Sequence, residues 1–235
     1  LEYARAFARL ESDYITPSRH ETFSVTTRLI APTVLHYGTD DQKNELLSDL
    51  FSAKIYCCQL FSEPGTGSDL AGLGCKAVKD GDEWVINGQK VWSSGAQFSQ
   101  WGELIARTHF DQPKHKGMTA FMIPMDLPGI EVRQIRQMSG GTSFNEVFFS
   151  DVRVPDRLRL GPEGEGWGVA LTTLSFERDH SDSDGGGRAG GKWSQLLGTA
   201  KSLGLLEDPQ IRQRLMEVYT QTQIQRFVNR RAADL

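Results

Sequence analysis

Nothing in this 235-residue chain announces a membrane, a metal or a nucleic acid. No apolar run approaches the roughly 18 to 20 residues that a membrane-crossing helix needs, so no transmembrane segment is expected. The N-terminal LEYARAFARLESDY is charged throughout and does not read as a signal peptide. Cysteine is scarce. Cys57, Cys58 and Cys75 form no C-x-x-C pair and no ligand spacing with the five histidines. That argues against structural zinc and leaves a reduced, cytoplasmic protein as the economical reading. Excess positive charge is missing as well. The 26 Lys and Arg against 30 Asp and Glu give a net charge of −4, so nucleic acid is not an expected partner. The familiar phosphate loops are absent too. Gly65 and Gly67 are followed by Asp69 and Leu70, with no glycine at 70 to complete G-x-G-x-x-G, and no lysine lies between Lys54 and Lys76 to make a Walker A loop.

What is there changes character twice along the chain. Residues 1–54 read as a helical domain. In TDDQKNELLSDLFS, Thr39 and Gln42 have capping-box spacing, and Leu46, Leu47, Leu50 and Phe51 share a face at helical period. Before it, Gly38 closes ETFSVTTRLIAPTVLHYG, which Pro32 kinks or splits. Residues 55–160 read as short strands punctuated by Gly and Pro: IYCCQLF, WGELIARTH, GMTAFMIPM, GIEVRQIRQ and NEVFFSDVRVP. KDGDEWVINGQKVWSSG carries Asp80-Gly81 and Asn87-Gly88, and the second, between two strand-like runs, gives the stronger hairpin signal. Strands so spaced imply an antiparallel sandwich or barrel rather than a Rossmann sheet. Residues 161–235 return to helix. GWGVALTTLSFERD is amphipathic through Trp167, Val169, Leu171 and Leu174, and a last helix opens with Asp208 as cap and Pro209 at its first position. The glycine-rich SDSDGGGRAGG at 181–191 reads as a linker. The chain starts and stops inside helical patterns, so both ends look cut.

The stretch QLFSEPGTGSD at 59–69 leaves two readings open. Its Gly, Pro, Ser and Asp suit an ordinary turn-rich connection, and they equally suit a backbone shaped to receive a ligand.

Several separated motifs, in order, decide between them. FSEPGTGSD resembles the T-E-P-x-x-G-S-D loop of the acyl-CoA dehydrogenase family, and GDEWVINGQKVWSSGA resembles its G-D-x-y-v-i-n-G-x-K-x-W-I-T-n segment. GMTAFMIPMDLPGIEV, NEVFFSDVRVP, GPEGEGWGVALTTL and FER continue the match, which covers most of 39–178. The resemblance implies an α+β architecture: an N-terminal α-helical segment, a middle antiparallel β-sandwich or barrel domain, and a C-terminal α-helical segment, truncated at both ends. It further implies FAD held against the middle domain by Gln59, Phe61, Ser62, Gly67, Ser68, Trp92 and Ser94. Ser62 stands where the family usually has Thr and keeps the hydroxyl for the flavin edge. Gly67 admits the cofactor closely, Ser68 meets the pyrophosphate, Trp92 packs on the isoalloxazine and Ser94 lies near N5. Trp92 as a plain core aromatic is the bland alternative.

The chemistry implied is removal of an α-proton from an acyl-CoA thioester by a carboxylate and transfer of the β-hydrogen as hydride to FAD, giving a trans-2-enoyl-CoA. A carboxylate with a free pKa of about 4.3 must be raised by burial to serve as that base. Glu177 stands where one branch of the family keeps its base, and it equally suits a charged helix end. Arg178 resembles the arginine that contacts the CoA portion, and Ser68 also reaches substrate; Glu63 and Asp69 brace the loop. The family implies electron-transfer flavoprotein as acceptor and a homo-oligomer, dimer or tetramer, because the cofactor site is shared between chains. Beyond residue 180 the match weakens, as in a divergent bacterial subgroup acting on fatty acyl to steroid side-chain thioesters. An acyl-CoA oxidase of the same fold, a catalytically silent partner subunit and a simple β-sandwich binding module are the competing readings.

Overall fold

A computed structural model describes residues 10, 20–181 and 193–233 of the chain. It divides into two units, Leu1–Leu174 and Ser175–Leu235. In the first, α1 (Glu21–Ser24) runs through a π-helical turn (Val25–Ile30) into α2 (Ala31–Tyr37). Pro32 has no N–H to give, and it falls in the first turn of α2, directly after the widened turn. The expected split is therefore a change of helical pitch. Helix α3 (Asp40–Phe51) opens with the full capping box, Gln42 N on Thr39 Oγ1 at 3.2 Å and Thr39 N on Gln42 Oε1 at 2.9 Å. Gln42 is itself buried and donates from Nε2 to the carbonyls of Arg157 and Arg159. Leu46 and Leu50 are buried beside it; Phe51, expected on the same face, is exposed.

The strands are β1 (Cys57–Leu60), β2 (Lys76–Asp80), β3 (Glu83–Lys90), β4 (Trp101–Arg107), β5 (Met118–Pro124), β6 (Ile130–Gln134), β7 (Asn145–Pro155) and β8 (Arg159–Leu160). They form one sheet in the order β6-β7-β3-β2-β4-β5-β8, with β1 beside β4. Most pairs are antiparallel, while β1–β4 and the single β2–β4 contact are parallel. Strand alternation sends side chains to two cores. Cys57, Phe61 and Ile105 point into an apolar layer shared with Leu29, Val34, Leu50 and Val169 of the helices. Cys58, Leu60, Leu104 and Ala106 point into a second layer with Trp84, Phe121 and Val147.

The hairpin expected at Asn87-Gly88 is elsewhere. Gly81 and Asp82 make the turn between β2 and β3, and Asn87-Gly88 lies inside β3 at a register shift against β7. The physical reason is a two-way bond: Asn87 Nδ2 donates to Asp151 Oδ1 at 3.0 Å, and Asp151 N donates to Asn87 Oδ1 at 2.9 Å. Gly88, at φ +150°, lets Cys75 approach so closely that a Cβ would come 2.7 Å from the Cys75 Cα. This is a β-bulge, not a turn.

Helix α4 (Gly166–Ser181) begins in the first unit and buries Gly166, Val169, Ala170 and Thr173, at i, i+3, i+4 and i+7. Leu171, expected on that face, is exposed, and a threonine takes its place in the stripe. The second unit contains α5 (Trp193–Ser202) and α6 (Pro209–Ala233), the latter capped as expected by Asp208 Oδ1, which accepts from Gln210 N at 2.8 Å. Most of the linker expected at 181–191 lies outside the described residues.

Candidate functional site

The loop after β1 is fixed at its base by one buried cation. Lys90, sealed from solvent in β3, donates from Nζ to Phe61 O at 2.9 Å and to Glu63 Oε1 at 2.8 Å. Glu63 in turn accepts from Gly74 N at 2.6 Å and Cys75 N at 2.9 Å. Glu63 and Thr66 exchange backbone bonds of 2.9 and 3.0 Å, closing the turn around Pro64 and Gly65. Glu63 thus braces the loop. Asp69 pairs with Lys114 at 2.8 Å on the surface.

The tip, with Gly67 and Ser68, is exposed. A Cβ placed on Gly67 meets no atom within 4 Å, and its φ lies outside the left-handed range. Neither packing nor backbone strain in this chain demands glycine there.

The end of β3 is tied to the loop by Val91 N, which donates to Ser62 O at 2.8 Å. Phe61, Ser62 and the Trp92–Ser94 segment are thereby brought together. Trp92 adopts φ +61° and is 58% exposed, between buried Val91 and Ser93. A left-handed non-glycine backbone costs on the order of 1–2 kcal/mol, and an exposed indole gains nothing from the core. Among the described residues, the ring that meets it is Phe144, edge-on at 6.0 Å. Trp92 is therefore not a core aromatic. Ser94 is half-buried, and Gly95 packs so tightly on α1 that a Cβ would collide with Thr22 Oγ1.

Gln59 lies on β1, two residues from Phe61 and on the same face. Its Nε2 is buried and has no hydrogen-bond partner. Glu177 belongs to the second unit, on α4, with an exposed side chain. The Arg178 side chain lies outside the described residues.

Sequence reasoning passed over Lys90 and Glu103. Glu103 sits in β4, in register with Gln59 of β1, and is wholly buried. Burial pushes its pKa up to about 8, against the pull of a hydrogen bond from Thr173 Oγ1 at 2.7 Å, so it is mainly protonated at neutral pH. Its signal was a Glu between Trp101 and Ile105 at period-two spacing, a charge in an inward-facing position. The three thiols are buried as well, and desolvation raises Cys58 to about 12 and Cys75 to about 11, which keeps them unreactive.

Residues 58–152, which hold both the loop and the Trp92 segment, match the family described as acyl-CoA dehydrogenase, middle domain. Acyl-CoA dehydrogenase IpdE1 of Mycobacterium tuberculosis is 40% identical over 219 residues, covering 93% of this chain and 54% of that protein. Among solved structures, the Tcur3481-Tcur3483 steroid ACAD superimposes with a TM-score of 0.79 at 33% identity, over 89% of this chain and 54% of that one. A glutaryl-CoA dehydrogenase from Mycobacterium smegmatis in complex with FADH2 gives 0.60 at 29% identity, over 68% and 40%. The chain belongs to the acyl-CoA dehydrogenase family, and it spans about half the length of the curated relative and the steroid ACAD it matches.

Proposed function

We propose that the protein is an FAD-dependent acyl-CoA dehydrogenase that converts an acyl-CoA thioester to its trans-2-enoyl-CoA. The observation that carries this reading is the pairing of a braced loop with an outward, left-handed Trp92. FAD fits the residues present. An exposed indole offers a face for stacking, Gly67 leaves its surroundings open, and Gln59 Nε2 is a buried donor with no partner. Trp92 and the Ser62 and Ser94 hydroxyls would hold the flavin ring, Phe61 and Gln59 would flank it, and Gly67 with Ser68 would hold the pyrophosphate. When bound, FAD supplies the acceptor for the β-hydride.

The remaining work falls to side chains of this chain. Glu177 takes the α-proton on a carboxylate oxygen, a role that requires it to lose the solvent it now meets. Arg178 and Ser68 orient the CoA arm, a fixed cation suiting an anionic ligand. The steroid acyl-CoA dehydrogenase among the neighbours supports bulky ring-bearing acyl groups beside simple fatty chains. Family resemblance supports electron-transfer flavoprotein as the oxidant, a homo-oligomeric assembly and a cytoplasmic site of action. No helix among the described residues is long and apolar enough to cross a membrane.

The test is an anaerobic titration of the full natural chain, loaded with FAD, against acyl-CoAs of several lengths and shapes. Bleaching of the visible flavin band is the expected result. A protein with stoichiometric FAD that no thioester bleaches would overturn the proposal in favour of a silent partner subunit. Fast reoxidation of the bleached flavin by oxygen would mark an oxidase instead.

A further inference from the structure

Trp92 stands where the β3–β7 ladder slips by one residue. The last regular pair is Lys90 with Val147, so Trp92 should come opposite Asn145. Ser93 takes that place instead, donating from its N–H to Asn145 O at 3.1 Å. Trp92 is therefore the extra residue of a second β-bulge, in the left-handed position that bulges of this kind give to glycine. A bulge re-aims a side chain, and here it turns the indole outward into solvent.

The side chain of Asn145 closes this bulge. It is wholly buried at the start of β7, with its backbone in register against Gln134 of β6. Asn145 Nδ2 donates to Ser93 O at 2.9 Å, so Ser93 is bonded to Asn145 through both its N–H and its carbonyl. The second Nδ2 hydrogen goes to Gln97 Oε1, and Gln97 Nε2 donates to Thr142 O at 3.2 Å. Ser143 O, at 3.4 Å from Asn145 Nδ2, is a third and longer contact. Carbonyls stand at both ends of this relay, Ser93 O and Thr142 O, and they fix which way the two amides point. On the other side of Trp92, Val91 N donates to Ser62 O at 2.8 Å. The left-handed residue is thus clamped one position before and one position after itself.

Stability alone does not account for an asparagine here. Asn145 Oδ1 is buried with no hydrogen-bond partner among the described residues, which is unfavourable. The bulge it closes also holds a bulky residue at a backbone angle that costs energy. What the arrangement secures is the place of the indole.

We propose that Asn145 is a positioning residue for FAD: its amide, by gripping Ser93 O, holds Trp92 in the left-handed, outward setting from which the indole stacks on the flavin. The inference rests on the dehydrogenase reading above. Asn145 acts through Trp92 rather than by contact, its amide hydrogens being taken by Ser93 and Gln97.

The experiment measures FAD dissociation constants for the full natural chain, freed of flavin, in the parent, Asn145→Ala, Trp92→Ala, the double variant and Asn87→Ala. The last breaks another side-chain tie between β3 and β7, the one to Asp151, and is the control for general loosening of that strand pair. Asn145→Ala should weaken FAD by about ten- to a hundred-fold. Asn87→Ala should weaken it by no more than about two-fold. Because Asn145 acts through Trp92, the double variant should bind within about two-fold of Trp92→Ala alone. The visible circular dichroism of the flavin at saturating FAD should change in Asn145→Ala as it does in Trp92→Ala, and keep the parent's shape in Asn87→Ala.

Parental affinity in Asn145→Ala, losses that multiply in the double variant, or an equal loss in Asn87→Ala would each overturn the inference and leave the dehydrogenase reading in place. A parent chain that takes up no FAD overturns both. Should Asn145→Ala fail to fold, Asn145→Ser stays polar but is too short to reach Ser93 O, and the same comparison decides.

Discussion

Among the described residues of the first unit, Lys90 and Glu103 are the charge-bearing side chains most completely sealed, and the fold treats them in opposite ways. Lys90 is given a carboxylate and a carbonyl within 2.9 Å. Replacing it with Met leaves the nearly buried Glu63 carboxylate without its counter-charge and Phe61 O without its donor. Lys90→Met should cost about 3–5 kcal/mol in chemical denaturation and lower FAD affinity, because the loop loses its anchor. Glu103 gives up its charge instead. The unfolded chain ionises this group above about 4.5 while the folded chain holds the proton to about 8. Its contribution to stability is therefore whole below the lower value, falls as pH rises between the two, and levels off beyond the upper one. The slope should approach about 1.4 kcal/mol per pH unit. Urea melts from pH 5 to 8.5 should show this decline, and Glu103→Gln should flatten it and be the more stable protein at pH 8.5.

At the scale of elements, β3 is the piece on which site and sheet depend together. Its bulge at Gly88 admits Cys75, and its C-terminal end presents Trp92. Gly88→Ala should drive a methyl into the Cys75 backbone and cost about 3 kcal/mol, read as a lowered denaturation midpoint with weakened FAD binding. The same strand shows what sequence could and could not reveal. Helix ends were legible because their signals are local: Thr39 with Gln42, and Asp208 with Pro209, lie within three residues of what they cap. Asn87-Gly88 misled because the residue that captures it, Asp151, is 64 positions away. Lys90 and Glu103 were missed for the same reason, their partners standing 27 and 70 positions off. The loop and Trp92 are singled out by resemblance. Left to composition alone, the loop was a turn and Trp92 a core residue, since neither exposure nor a left-handed φ leaves a mark on sequence.

At the scale of the molecule, the chain brings the loop, the Trp92 segment and the apolar layer in one unit, and Glu177 in another. The proposed division of labour predicts that Glu177→Gln leaves FAD content and melting temperature unchanged while slowing flavin reduction by about a thousand-fold. Unchanged reduction would move the base to a different residue. Of five tryptophans, Trp84 is buried, three are partly covered, and Trp92 alone stands in water. Its indole should emit at the red edge of the protein's fluorescence in the apoprotein, and a flavin stacked on it would quench that component selectively. Trp92→Phe should delete the red-shifted emission and little else. The residue proposed to grip the cofactor would thus double as an optical gauge of occupancy, readable in a dilute sample without any substrate.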